Sequence, residues 1–346
     1  LVDRAVPFGE IVRYLTPFLV TRQVFSGAGR VGLGPRSEIP GFQLSQRADY
    51  IENDVGLETT FNRPIINTRD EPHADAERYR RLHIIIGDAT LLEAATYLRL
   101  GTTALVLWLL EQQAVPLALD AIALDDPVAE TRLVSHDTSL THRLTLADGR
   151  TMTALEIQQL YLEVITVALG DEVDPETRDV LDRWQAVLAG LGSDPMGCAA
   201  QVEWVAKLQL LEGMRQRDGA GWDDPRLAAL DLQWSDLRPE RSIYQRLLTA
   251  GRVGTLPAPA EVARAVTDPP ADTRAWFRGE VIRRYGAEVT AAGWESVVLD
   301  LPGEEHLVRL PMREPARGTR ADLAALLDAS PDATTLLDEL RQRRRG

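Results

Sequence analysis

The chain has 346 residues, of which 45% are hydrophobic and 26% charged, and its formal net charge is -14. This length predicts one large domain, or one large and one small domain, with a sizeable buried core. The negative charge disfavours general binding to nucleic acid or to an anionic membrane, which needs a basic surface. The single cysteine, Cys198, excludes a disulfide framework and a cysteine-based metal cluster. It is compatible with a reducing, cytoplasmic location.

Two further features of the composition bear on function. No uninterrupted apolar stretch reaches the roughly 18 residues that a membrane-spanning helix needs, so we expect no membrane segment. Lys207 is the only lysine, and all other basic residues are arginines. A GC-rich genome explains most of this bias, although the planar guanidinium fork also suits carboxylates and phosphates.

The first half of the chain shows one helical pattern, then strand patterns, then a second helix. Apolar residues at helical spacing occupy 7–25, where Pro17 is expected to start or break a turn. Alternation of apolar and polar residues then predicts three strands, at 42–51, 61–69 and 80–87. Residues 90–113 are strongly apolar, which is typical of a helix packed on a sheet.

The second half is mostly helical. Thr153 and Glu156 form a capping box that starts a helix running to about residue 168. Later elements are predicted as helices at 174–191, 197–217 and 273–285, strands at 296–301 and 306–310, and a final helix ending in Arg343-Arg344-Arg345. Pro269-Pro270 interrupts the pattern. We therefore expect two domains, 1–265 and 266–346, in an α+β fold with a mainly antiparallel sheet backed by helices.

A glycine-rich loop at 26–34 matches the pattern Gly-x-Gly-x-x-Gly through Gly27, Gly29 and Gly32. In a dinucleotide-binding fold this loop must open a helix, whose N-terminus receives the pyrophosphate. Gly34-Pro35 follows here, so no helix is expected to start. We interpret the segment as a glycine turn at the edge of a site.

A charged cluster, Arg69-Asp70-Glu71-Pro72-His73-Ala74-Asp75, offers carboxylates and an imidazole, which suit Mg²⁺ or Zn²⁺. Adjacent carboxylates point apart on an extended chain, and Pro72 interrupts the geometry. A loop held by internal ion pairs is therefore the favoured interpretation, with metal binding as the alternative.

Basic side chains share the polar faces of the three predicted strands. If the strands are neighbours, one surface carries Arg47, Arg69, Arg81 and His83. Several guanidinium groups near one another are costly to bury without anions, and bidentate arginine contacts match the oxygens of a triphosphate. Alternatively, nearby carboxylates neutralise them: Asp49, Glu52, Asp70 and Glu71. The residues alone leave both interpretations open.

Two other sets of residues are candidates for binding an acidic partner. The helix at 197–217 carries a basic and aromatic set, Trp204, Lys207, Arg215 and Arg217. A core-packed helix with a solvated edge is the slightly favoured alternative. Arg274 and Arg278, four residues apart on a predicted helix, form another candidate anion contact.

Several stretches carry a resemblance to a known family. They read FQLSQRADYIE at 42–52, INTRDEPHAD at 66–75 and DTRAWFRGE at 272–280, and the second continues to Gly87-Asp88. The chain resembles the depupylases, or deamidases of Pup, and the related Pup ligases, within the glutamine synthetase and carboxylate-amine ligase superfamily. The first stretch, together with LGTTALVL at 100–107, is similar to the depupylase branch.

The resemblance implies a large glutamine-synthetase-like domain, a small C-terminal domain, and ATP bound with Mg²⁺. It implies that Pup, a small acidic disordered protein, threads its C-terminal segment into the site. The implied activity is ATP-dependent hydrolysis of the isopeptide bond between the C-terminal glutamate of Pup and a substrate lysine, and deamidation of the C-terminal glutamine of Pup. Positions that match the family's nucleotide site are Arg47, Arg69, His83 and Trp294.

The family's catalytic aspartate and Mg²⁺-binding glutamates precede the stretch that begins here at Leu1. We therefore assign no catalytic residue and no metal ligand in this chain. We expect the chain to be inactive alone and to work with the N-terminal part of the same enzyme. The alternatives are a Pup–protein ligase, which consumes ATP to form the isopeptide bond, and a non-catalytic protein that binds Pup.

Overall fold

A computed structural model describes residues 1–112, 115 and 117–343. Within this range the α-helices are α1 (Phe8–Thr21), α2 (Gln23–Ser26), α3 (Glu93–Glu111), α4 (Leu117–Asp120), α5 (Pro127–His136), α6 (Ala154–Leu169), α7 (Pro175–Ser193), α8 (Glu203–Asp218), α9 (Pro225–Trp234), α10 (Ile243–Thr249), α11 (Pro259–Ala265), α12 (Arg274–Arg284), α13 (Arg320–Asp328) and α14 (Ala333–Arg343). The strands are β1 (Val2–Asp3), β2 (Arg30–Leu33), β3 (Ile39–Gln43), β4 (Ile51–Gly56), β5 (Arg63–Asn67), β6 (Tyr79–Arg80), β7 (Arg143–Thr145), β8 (Thr151–Thr153), β9 (Val289–Ala292), β10 (Ser296–Leu299) and β11 (Val308–Pro311). Two 3₁₀ helices lie at Ala48–Tyr50 and Pro195–Ala200.

The chain divides into two compact units. The large unit consists of 2–70 and 82–256, and the small unit consists of residue 1, 71–81 and 257–346. Segment 71–81 thus belongs with the C-terminal region although it lies far from it in sequence. The predicted domains, 1–265 and 266–346, stay a prediction.

The core of the large unit is formed by helices α1, α3, α6 and α7. Phe18 of α1 contacts Tyr161 of α6 and Trp184 of α7 edge-on, with ring centroids 5.4 and 6.2 Å apart. All three side chains are completely buried, so this aromatic cluster removes a large apolar area from water. No helix among the described residues is long and apolar enough to cross a membrane.

Small sheets lie around these helices. Strands β2 and β3 pair antiparallel, as do β7 and β8, whereas β4 and β5 run parallel. In the small unit, β9, β10 and β11 form a three-stranded antiparallel sheet with β10 in the centre. Helices α12, α13 and α14 supply the apolar side chains that pack on this sheet. The architecture is α+β, as predicted.

Helices were predicted better than strands. The capping box of α6 forms as expected, because the Thr153 hydroxyl accepts the Glu156 N–H and the Glu156 carboxylate accepts the Thr153 N–H. Pro17, however, lies inside α1 and does not break it. The predicted helix at 90–113 appears as α3, and its last predicted position, 113, lies outside the described residues.

The strand predicted at 42–51 is wrong as one element. Strand β3 ends at Gln43, a 3₁₀ turn occupies Ala48–Tyr50, and β4 starts at Ile51. The alternation arose because Gln43, Ser45 and other polar residues are buried and hydrogen-bonded inside the protein, not because they line one strand face.

The strand predicted at 80–87 is also mostly wrong. Only Tyr79–Arg80 is assigned as strand, and His83 forms an isolated antiparallel bridge with Asn67. The predicted final helix corresponds to α14, whose predicted ending at Arg344 and Arg345 lies outside the described residues. Several other elements were not predicted, among them helices α5, α9, α10 and α13 and strand β9.

Candidate functional site

Strand β2 lies within the glycine segment 26–34 and strand β3 follows it, so the structure confirms that no helix opens there. Gly29 has a φ of +71°, and a Cβ atom there would lie 2.6 Å from the Phe42 ring. A Cβ on Gly27 would lie 2.3 Å from the carbonyl oxygen of Leu44. These glycines therefore allow two backbone segments to approach closely and fix the loop against β3.

Asp88 is the buried centre of this region. Its carboxylate accepts the N–H of Ala28 at 2.8 Å, the Ser45 hydroxyl at 2.9 Å and the N–H of Gln46 at 2.9 Å. Burial raises the pKa of Asp88, against the lowering effect of these hydrogen bonds and of the Lys207 charge. One carboxylate thus joins the glycine loop to the segment that follows β3.

Lys207 of α8 binds the same loop through a different residue, Gly29. Its ammonium donates to the carbonyl of Gly29 at 2.8 Å and to the Asp231 carboxylate at 2.7 Å. The side chain is only 1% exposed, and the ammonium lies 5.6 Å from the centre of the Trp234 ring. The amine is therefore a structural cation inside the protein.

A second buried network lies beside the first and includes Asp49. The Asp49 carboxylate accepts the Gln43 amide at 2.7 Å and contacts His136 Nε2 at 2.7 Å, and Arg30 lies 3.9 Å away. Burial alone would raise the pKa of Asp49, but the hydrogen bonds from His136 and Gln43 outweigh it, and the net pKa is lowered. Ser135 links the two networks, because its hydroxyl donates to Gln43 and accepts the N–H of Ser45.

Arg47 lies next to both networks. The hydroxyl of Ser45, itself held by Asp88, accepts the Arg47 N–H at 3.1 Å. The Arg47 guanidinium is half-buried and donates to the carbonyl of Ile85 at 3.2 Å. The backbone of this arginine is therefore fixed by buried polar groups.

Arg69 and His83 are connected to each other through Asn67. The backbone of Asn67 pairs with that of His83, and its side-chain oxygen accepts the Arg69 N–H at 2.9 Å. The Asn67 amide also donates to Leu57 and Glu58, so this buried residue is held on several sides. His83 lies two residues before Ile85, the partner of Arg47. The structure thus links Arg47, Arg69 and His83 through two neighbouring segments of the large unit.

Of the carboxylates that were the alternative partners of these basic residues, Glu71 does pair with one of them, Arg81. Asp49 is held by Gln43 and His136, and Glu52 accepts the N–H of Asn62 at 2.9 Å. Asp70 pairs with Arg4 at 3.1 Å, and Glu71 pairs with Arg81 at 3.4 Å. Within the part of the chain that the structure describes, no carboxylate pairs with Arg47, so its guanidinium retains donors for an anion.

In the charged cluster at 69–75 the carboxylates form ion pairs, as the favoured interpretation predicted. Asp70 and Glu71 each bind an arginine, as described above. The backbone carbonyl of His73 accepts a hydrogen bond from Arg274, and Asp75 donates its N–H to the carbonyl of Arg313. Among the described residues, no three His, Cys, Asp or Glu side chains are grouped to hold a metal ion.

Trp294 belongs to the small unit, between β9 and β10. Its side chain is 65% exposed, and the Arg278 guanidinium lies 5.4 Å from the centre of its ring. Arg278 also donates to the carbonyl of Gly293. An exposed indole beside an arginine can pack on a planar ligand such as a purine.

The basic and aromatic face predicted on α8 does not exist. Trp204 and Lys207 are buried, with 0% and 1% of their surface exposed. Arg215 pairs with Glu212 and lies 4.4 Å from the centre of the Trp222 ring, and Arg217 pairs with Asp218. The helix is core-packed with a solvated edge, which was the slightly favoured interpretation.

Arg274 and Arg278 of α12, the other candidate contact for an anion, also have partners within the chain. Both arginines donate hydrogen bonds to backbone carbonyls.

Asp88 is the residue of this region that sequence reasoning missed. It stands at the end of the second recognised stretch, as Gly87-Asp88, without any assigned role. A lone aspartate after a glycine is typical of a surface turn, and only the fold shows that it is buried.

Comparison with known proteins identifies the family. A family model described as Pup-ligase protein matches residues 1–298. A depupylase of Acidothermus cellulolyticus is 53% identical, over 98% of this chain and 68% of its own length. A Pup deamidase/depupylase of Mycobacterium tuberculosis is 52% identical, over the same shares of the two chains.

A solved structure agrees with this assignment. The structure of the Pup ligase PafA in complex with ADP matches with a TM-score of 0.80 at 32% identity, over 94% of this chain and 72% of that chain. The likeness confirms the predicted α+β, glutamine-synthetase-like class. Together, these matches show that the chain belongs to the Pup-ligase protein family.

Proposed function

We propose that the protein is a depupylase. It hydrolyses the isopeptide bond between the C-terminal glutamate of Pup and a substrate lysine, and it deamidates the C-terminal glutamine of Pup. The observation that carries this proposal is the identity of 52–53% over 98% of the chain to a depupylase and a Pup deamidase/depupylase, against 44% over 82% of the chain to a Pup–protein ligase of Acidimicrobium ferrooxidans. Its partners are then Pup and pupylated proteins.

The proposed cofactor is ATP with Mg²⁺. The structural support is the set of donors formed by Arg47, Arg69 and His83, with the Arg47 guanidinium unpaired by any described carboxylate. The PafA structure contains ADP, which is consistent with a nucleotide site in this family. Bound Mg²⁺-ATP would supply phosphoryl groups that polarise or activate the amide. Among the described residues no three His, Cys, Asp or Glu side chains are grouped to hold a metal ion, and we propose no metal ligand among them.

The residues of this chain have separate proposed roles. Arg47 and Arg69 bind and neutralise phosphate oxygens through charge-assisted hydrogen bonds, which lowers the cost of charge that builds up there. His83 donates a hydrogen bond to the nucleotide or its phosphates. Trp294 packs on the adenosine and contributes affinity through apolar burial.

A gel assay on a Pup conjugate, with the protein as its gene encodes it, tests the function. With ATP present we expect release of the free substrate protein. Conjugation of Pup glutamate to a free protein would instead show a ligase. Binding of Pup without turnover would show a non-catalytic Pup-binding protein.

Arginine variants test the site. Arg69→Ala should abolish depupylation and weaken binding of a fluorescent ADP analogue at least about tenfold, while the chain still folds. The matched control is Arg13→Ala, which removes an exposed arginine of the large unit that pairs with Asp120. Retained turnover in Arg69→Ala would remove this residue from the site.

A further inference from the structure

Asn67 is the point at which a buried strand becomes an exposed segment. Strand β5 places Ile65 and Ile66 in the core, and Asn67, its last residue, is only 1% exposed. The next two residues, Thr68 and Arg69, are exposed. An amide side chain is costly to bury unless its polar atoms form hydrogen bonds, so the partners of Asn67 indicate what this residue does.

Both polar atoms of the Asn67 side chain have partners. Its Oδ1 accepts the N–H of Arg69 at 2.9 Å, and its Nδ2 donates to the carbonyls of Leu57 and Glu58, each at 3.1 Å. The first bond joins the side chain to the backbone two residues further on, as in an Asx turn. The side chain therefore makes two separable contacts, one with the arginine proposed to bind phosphate and one with the connection between β4 and β5.

The backbone next to the Arg69 side chain is held although the side chain itself is exposed. Thr68 donates its N–H to the carbonyl of Gly56 at 2.8 Å, which continues the parallel pairing of β4 with β5. Arg69 donates its N–H to Asn67, so two consecutive amides are fixed. The backbone of Asn67 also forms the bridge to His83. One buried residue thus contacts the backbone of both proposed nucleotide-binding residues.

This arrangement affects how strongly an exposed arginine can bind a phosphate. An arginine on a loose segment loses backbone freedom when it binds, and this loss of entropy subtracts from the affinity. A segment that is already held in the folded protein loses less. The oxygen of Asn67 contributes to this preorganisation from a buried position, where it does not need to touch the ligand.

We propose that Asn67 is a positioning residue for nucleotide binding, which acts through the backbone of Arg69. Its role rests on the proposed function, because it requires Arg69 to bind phosphate oxygens. The side-chain oxygen of Asn67 raises the affinity for nucleotide, whereas its amide nitrogen stabilises the fold through Leu57 and Glu58.

Two substitutions at Asn67 separate these contacts. Asn67→Ala removes both, whereas Asn67→Ser keeps a neutral acceptor for the Arg69 N–H and loses the pair of N–H donors. The protein, as its gene encodes it, is titrated with a fluorescent ADP analogue. We expect Asn67→Ala to raise the dissociation constant at least about fivefold, and Asn67→Ser to stay within about twofold of the parent chain. The unfolding temperature should fall by similar amounts in both variants.

Gln158→Ala is the matched control for the loss of a buried amide. Gln158 of α6 is 0% exposed and donates to the carbonyl of Phe18 at 3.0 Å and to the Thr21 hydroxyl at 2.7 Å. This variant should also lower the unfolding temperature, but it should leave the dissociation constant unchanged. Equal weakening by Asn67→Ala and Asn67→Ser, or weakening by Gln158→Ala, would show that lost stability causes the effect, and the proposal would fail.

A double-variant cycle tests the route through Arg69. In the Arg69→Ala background the guanidinium is absent, so adding Asn67→Ala should change the dissociation constant less than about twofold. If the two losses add in full instead, Asn67 does not act through Arg69 and the proposal is wrong.

The single variants distinguish failure of this proposal from failure of the proposed nucleotide site. If Arg69→Ala weakens nucleotide binding and Asn67→Ala does not, only the positioning role fails. If Arg69→Ala leaves nucleotide binding unchanged, the proposed site and the positioning role fail together.

Discussion

The buried carboxylates of the large unit and the surface carboxylates of the small unit serve different purposes. In the large unit, Asp88 is buried and binds backbone N–H groups of two segments, and Asp49 is buried between an amide and a histidine. In the small unit, carboxylates such as Glu304 and Asp328 meet arginines at the surface. Buried carboxylates fix loops that must hold a shape, whereas exposed pairs contribute little to stability because water and salt screen them.

The largest effect is expected at the centre of the buried network. Asp88→Ala leaves the N–H groups of Ala28 and Gln46 and the Ser45 hydroxyl without their acceptor, in a region closed to water. We expect the free energy of unfolding to fall by about 4 kcal/mol, measured by urea titration. Nucleotide binding should weaken as well, since Ser45 no longer orients Arg47. An unchanged urea midpoint would show that the network is dispensable.

The next effect concerns the buried cation. Lys207→Met keeps the length of the side chain but removes the ammonium that binds Gly29 and Asp231. We expect a loss of about 3 kcal/mol in the free energy of unfolding, because Asp231 then lacks its charge partner. Lys207→Arg keeps the positive charge but changes the shape of the side chain, so it serves as the control. If Lys207→Met is as stable as the parent chain, the loop does not need this cation.

A smaller, pH-dependent effect is expected for Asp49. The folded-state pKa of Asp49 is below its ordinary value of 3.8, so its ionised form contributes stability above that pH. This contribution is lost as the pH falls through the folded-state pKa. Asp49→Asn should therefore lower the unfolding temperature at pH 5, and the difference from the parent chain should narrow between pH 4 and pH 2.5. A difference that widens on acidification would contradict the assigned direction.

The smallest effect is expected at the surface of the small unit. Glu304→Gln breaks the bidentate pair with Arg341, yet both side chains are solvated. We expect the urea midpoint to stay unchanged within error at low and at high salt. A loss comparable to that of Asp88→Ala would erase the contrast between the two units.

The contrast also explains what could be predicted from the sequence. Helices such as α6 and α7 were predicted because their caps and apolar spacing are local signals. The segment around Gln43 and Ser45 was misread as a strand with a polar face, since burial of hydrogen-bonded polar residues also produces alternation. The pairing of Asp88 with Ala28 spans 60 residues, and no local pattern encodes it.

The candidate site shows the same division. We selected Arg47, Arg69 and His83 because they share the polar faces of the predicted strands and match positions in the family's nucleotide site. Two of the three predicted strands do not form as continuous strands. The residues are nevertheless linked, because Asn67 and Ile85 connect them through backbone contacts that the alternation did not reveal. Their role in nucleotide binding stays a prediction.

The burial of Lys207 has a consequence for chemistry directed at the chain itself. Lys207 carries the one ε-amino group in 346 residues, and that group lies 1% exposed between a carbonyl and a carboxylate. A buried amine held by these two oxygens is not reachable by an acylating reagent. The folded chain therefore offers no lysine acceptor for acylation, including attachment of the tag that it is proposed to remove. An exposed arginine changed to lysine would create a unique acceptor and a unique site for amine-reactive labels.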